Sequence, residues 1–122
     1  MLREPSIMSI TRHEPGAFFC GAVVHDNTVY VSGKTAQDTD QGVKGQTQQI
    51  LDEIDRTLAL CGTDKSKILM VNIWLTDIGK WSKMNMVWDA WVDKDNKPCR
   101  ATVEAALAAP ELKVEIACIA TL

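Results

Sequence analysis

The stretch from Ser66 to Thr76 has no polar face. As a strand it puts Leu69, Val71, Ile73 and Leu75 on one side and Met70, Asn72 and Trp74 on the other. Neither side suits open water, so both need a cover. Lys113 to Ala120 sets a related problem. Val114, Ile116 and Cys118 alternate there with Glu115, Ala117 and Ile119, and Glu115 shares its side with apolar neighbours. Two helices can cover one face of a sheet built on such strands. The other face needs a partner, and a second copy of the chain is the simplest one.

The helices are legible. From Gln46 to Cys61, Ile50, Ile54, Leu58 and Cys61 form one stripe with Leu51 beside it. Asp52, Glu53, Asp55 and Arg56 face water, and Gly62 is the stop. From Ile78 to Val92, Trp81, Met84, Trp88 and Trp91 recur at helical spacing. A core face packed on a sheet explains that stripe more simply than a box for stacking a cofactor. Ahead of the first helix, Ala22–His25 and Thr28–Ser32 flank Asp26-Asn27 as a hairpin. The polar segment Lys34 to Gly45 is a loop. Further on, Asp93 to Pro98 is a charged loop, Arg100 to Leu107 a strand, and Pro110 breaks the chain before the last strand. The order of strands, helix, strand, helix, strands predicts an α+β fold, a mixed sheet with two helices on one face. No linker or repeat divides residues 1–122, so one domain is expected.

Much is excluded. Net charge is −3 and the basic residues are scattered, which argues against a nucleic-acid partner. No apolar run approaches the ~20 residues that span a bilayer. The first ten residues hold charges and a proline where a leader needs an apolar core, so a cytoplasmic protein is expected. Cys20, Cys61, Cys99 and Cys118 make no C-x-x-C pair, which removes zinc and thioredoxin-like sites. They are expected reduced, with Cys61 and Cys118 in the core. His13 and His25 stand apart, with no carboxylate at ligand spacing, as surface or turn residues. Nucleophile elbow, zinc-protease and phosphate-loop motifs are all missing. Arg100 and Glu115 remain. An arginine fork matches a carboxylate and a half-buried glutamate can orient water, but the two could equally form a structural ion pair.

Those residues lie in a recognisable context. Pro98-Cys99-Arg100-Ala101-Thr102-Val103-Glu104, then Leu112-Lys113-Val114-Glu115-Ile116, resemble the C-terminal signature of the Rid family, also called YjgF/YER057c/UK114. Val29–Gly33, Gln46–Leu51, Val71–Asp77 and Met84–Trp88 extend the likeness from about Gly16 to Ala120. The resemblance implies a chorismate-mutase-like fold in a homotrimer, with an inner barrel of sheets and clefts between subunits. It implies hydrolysis of reactive enamines or imines to 2-oxo acids and ammonia, with no metal or organic cofactor. In that scheme Arg100 clamps the substrate carboxylate and Glu115 positions water. Ser32 and Gly33 line the cleft, and Asn85 contributes from the second helix. Phe19 stands where the archetypal deaminases carry tyrosine, so one hydroxyl is lost. A carboxylate-binding trimer without catalysis is the alternative. Ribonuclease or translation-inhibitor activity is a third, disfavoured by the acidic balance.

Overall fold

The computed structural model describes residues 9–122. The N-terminal segment inspected for a leader lies, up to Met8, outside them. Six strands and two long helices follow in chain order: β1 (Ile10–Pro15), β2 (Cys20–His25), β3 (Thr28–Lys34), α1 (Val43–Leu60), β4 (Ile68–Leu75), α2 (Trp81–Trp91), β5 (Cys99–Glu104) and β6 (Val114–Thr121). Short 3₁₀ turns at Lys65–Lys67 and Ile78–Lys80 lead into β4 and α2. The strands form one sheet in the order β1-β2-β3-β6-β4-β5. Only the β4–β5 pair is parallel, so the sheet is mixed as the sequence predicts.

The β2–β3 hairpin turns at Asp26-Asn27, with Asp26 at φ +53° and His25 paired to Thr28. Aspartate tolerates that left-handed conformation better than most residues. β6 keeps its predicted alternation, with Val114, Ile116, Cys118 and Ala120 buried and the residues between them half-buried. Its buried side joins Val29 and Val31 of β3 and Val71, Ile73 and Leu75 of β4. Ile50, Leu51, Ile54 and Leu58 of α1 and Met84, Trp88 and Trp91 of α2 cover that side. Trp91 Nε1 donates to Asp55 at 2.9 Å and joins the two helices. α1 ends with Cys61 as its cap, and Gly62 follows at φ +88°, the left-handed conformation that glycine favours.

Five sequence expectations change. β1 is an added edge strand. Its residues are mostly exposed, so no apolar alternation announced it, and His13 sits in it opposite Ala22. α1 starts at Val43, one turn earlier than Gln46, because buried Val43 anchors the first turn. In β4 the pairing with β6 slips between Ile68 and Met70, so Ile68 turns inward and Leu69 is left 52% exposed. Trp81 falls outside the core stripe at 43% exposure. The strand beginning near Arg100 also ends at Glu104, short of Leu107.

The far side of the sheet carries Tyr30, Met70, Trp74, Val103 and Ile119, half-buried or exposed. Among the described residues no helix covers it. Cys118 lies in the core, where burial pushes its thiol up to about 12.

Fully buried Gln46 ties three chain segments together. Its Nε2 donates to Gln41 O at 3.0 Å and Glu111 O at 3.1 Å, and its Oε1 accepts from Lys113 N at 2.9 Å. Gln46→Ala would strand these groups, each worth about 1 kcal/mol or more. Urea unfolding at fixed protein concentration should show a loss of about 3 kcal/mol, and an unchanged midpoint would contradict the assignment.

Candidate active site

The predicted site residues fall into two groups. The first surrounds Arg100 on β5. Arg100 pairs with buried Val71, so its side chain leaves the sheet on the helix side. Its Nη1 donates to Asn85 Oδ1 of α2 at 2.8 Å. Its guanidinium carbon lies 5.0 Å from the Trp88 ring centre and 6.0 Å from that of Trp81. Two indoles and one amide thus fix the plane of the fork. The other guanidinium donors have no protein partner among the described residues. Partial burial lowers the pKa of Arg100 from its ordinary value without a carboxylate nearby to oppose the shift. The group is a cation held in place with free donors, suited to a planar anion.

The second group surrounds Glu115 on β6. Glu115 pairs with Trp74 and alternates with buried Val114 and Ile116, so it emerges on the face that the helices leave open. Between Val31 and Lys34 the β3–β6 register shifts by one residue, and Ser32-Gly33 occupies that bulge. The carboxylate of Glu115 lies against Gly33, where an added Cβ would meet Oε2 at 2.1 Å and Cδ at 3.0 Å. Only glycine leaves room for it. Ser32 Oγ donates to Gly21 O at 3.0 Å, so this hydroxyl fastens β3 to β2.

Ser32 and Gly33 also line a cleft of about 800 Å³ with Phe18, Phe19 and the α1 residues Gln49, Glu53 and Arg56, a cleft that Glu115, Arg100 and Asn85 do not line. Phe19 is 69% exposed at the tip between β1 and β2. An ion-pair relay holds that tip to α1. Arg56 Nη2 lies 2.8 Å from Glu14 Oε1 and 2.7 Å from Glu53 Oε2. The arginine holds both carboxyls below their usual range, chiefly through its hydrogen bonds to them. The sequence pattern did not reveal this relay, because Glu14 lies on the unrecognised β1.

The proposed ion pair between Arg100 and Glu115 does not form. The two side chains leave opposite faces of the sheet and sit at β4 levels Val71 and Trp74, on strands flanking β4. Within one chain they cannot hold the same small molecule. Among the described residues, no three His, Cys, Asp or Glu side chains are placed to hold a metal ion.

The family model described as endoribonuclease L-PSP matches residues 10–122. A RutC family protein from Haemophilus influenzae is 43% identical over 115 residues, covering 93% of this chain and 99% of that one. The crystal structure of a YjgF-family protein from Neisseria meningitidis superposes with a TM-score of 0.90 at 39% identity, covering 94% of this chain and 96% of that one. The chain belongs to the YjgF/Rid family. A more distant member, the chloroplastic reactive intermediate deaminase A of Arabidopsis thaliana, is 28% identical over 92% of this chain and 64% of its own length. The mixed α+β architecture of this YjgF-family chain therefore matches its solved relatives, and the Arg100 and Glu115 groups sit on the elements that define that architecture.

The Gly33 contact gives a direct test. Gly33→Ala should leave the fold intact and swing the Glu115 carboxylate off the bulge. A crystal structure of the variant with Glu115 unmoved would contradict the close approach.

Proposed function

We propose that the chain hydrolyses imines and enamines of 2-amino acids to 2-oxo acids and ammonia, in clefts between the subunits of a homotrimer. The division of the site carries this proposal. Arg100 supplies a free carboxylate clamp on one face, and Glu115 supplies a carboxylate beside Gly33 on the other. One copy's Arg100 meeting its neighbour's Glu115 makes a whole site from two half-sites. The uncovered apolar face with Tyr30, Trp74 and Val103 supports assembly, since burying it against other copies removes it from water. The Arabidopsis relative's name supports the chemistry.

The reaction asks little of the protein. An enamine takes a proton from solvent at its β-carbon and becomes an iminium ion, the protonated imine, whose carbon is already electrophilic. Arg100 holds the neighbouring carboxylate and fixes the orientation of that carbon. Glu115 accepts a proton from water as the oxygen attacks. The C–O bond forms and the C=N electrons pass to nitrogen. Glu115 returns that proton to nitrogen and then takes the remaining hydroxyl proton, so that the C=O bond forms, the C–N bond breaks and ammonia leaves. Ser32 and Gly33 shape the floor of the cleft, and Phe19 offers an apolar wall where a hydroxyl would add a hydrogen bond. The expected substrates are small-molecule imines, with no cofactor in the scheme.

The test is a coupled assay in which an amino-acid oxidase generates the imino acid. Glu115→Gln should lower kcat by about 10²–10⁴-fold while 2-oxo acid binding persists. Arg100→Ala should cost about 2–5 kcal/mol of 2-oxo acid binding in a folded protein. A wild-type chain that binds 2-oxo acids yet never hastens imine loss would establish the non-catalytic carboxylate binder instead.

A further inference from the structure

A second cleft, of about 490 Å³, opens at the start of α1, and its lining includes Lys44, Lys80, Lys83 and Lys113. Phe19, Ser32, Gly33, Asn85, Arg100 and Glu115 do not line it. The lysines come from three places in the sequence: the first turn of α1, the approach and first turn of α2, and the residue before β6. The fold therefore gathers them. In a chain of net charge −3, four cations share one concavity. None is in an ion pair among the described residues, whereas Arg56 and Lys94 each have a carboxylate partner. Among the described residues the only carboxylate lining the cleft is Asp77, whose Oδ1 accepts from Gly79 N at 2.9 Å within its own turn.

We infer that this cleft binds a small phosphorylated ligand. Four ammonium groups call for an anion of at least two charges, more than a simple 2-oxo acid brings. Lysine ammoniums are point charges on flexible stems and can surround a tetrahedral oxyanion, whereas a planar carboxylate favours an arginine fork, which none of the described lining residues supplies. The start of α1 adds to the same field. Gly42, Val43 and Lys44 line the cleft, the helix has no side-chain cap, and its first turn holds no acidic residue. The first intrahelical acceptor is Gly42 O, bound by Gln46 N at 2.9 Å, so the amides of Val43 to Gly45 precede the helical ladder. Thr76, at the end of β4, adds a hydroxyl to the lining. The volume suits a ligand the size of a sugar phosphate.

Inorganic pyrophosphate is the probe, titrated calorimetrically into the intact protein at low salt. One saturable site per chain is expected. Lys44→Gln combined with Lys83→Gln should weaken it roughly tenfold or more. Lys94→Gln combined with Lys97→Gln removes the same charge elsewhere and should leave binding unchanged. Absence of saturable binding would overturn the inference, as would equal weakening by both double variants. A single-stranded RNA oligonucleotide displacing pyrophosphate at lower concentration would overturn it too, since the surface would then serve nucleic acid.

Discussion

A six-stranded sheet with both helices on one side sets the terms for everything else in this chain. β6 sits fourth from the β1 edge and third from the β5 edge, paired to β3 and β4. Its strict alternation sends Val114, Ile116, Cys118 and Ala120 under the helices and leaves Glu115, Ala117 and Ile119 on the other face. Slipping it by one residue would exchange the two sets, bury Glu115 and expose the core. The contrast between the fully buried set and the set that carries Glu115 pins the register. The same register places a carboxylate on the open side without burying it among hydrocarbon.

Two local devices then shape the candidate site on this sheet. The bulge at Ser32-Gly33 removes a side chain where the Glu115 carboxylate must lie. On β5, Trp88, Trp81 and Asn85 constrain a long arginine that would otherwise sample many rotamers. That ordering is made in the folded chain before any ligand arrives, so binding need not bear its entropic cost. The half-exposed Trp81 belongs to this clamp more than to the core.

The central elements were legible because their patterns were strong. Alternation revealed β6, helical spacing revealed most of α1 and α2, and the Asp26-Asn27 turn revealed the hairpin. β1 was illegible because an exposed edge strand has no apolar period to read. The displacement of Leu69 was illegible because one extra residue in a ladder leaves no trace in composition. Arg100 and Glu115 were visible as residue types, but their placement on opposite faces follows from long-range pairing through β4. Gln46 read as an ordinary helix-starting residue, although it holds together segments far apart in sequence. The lysine cleft was hidden for the same reason: scattered charges looked dispersed until the fold collected them.

The central claim is that two half-sites from neighbouring copies make one working site. Co-refolding of two individually inactive variants, Arg100→Ala and Glu115→Gln, tests it most directly. In a mixed trimer an intact Arg100 from one copy can face an intact Glu115 from the next, so random mixing should restore roughly a quarter of wild-type imine hydrolysis. Mixtures that stay as inactive as the separate variants, although mass measurement shows mixed trimers, would contradict the shared site.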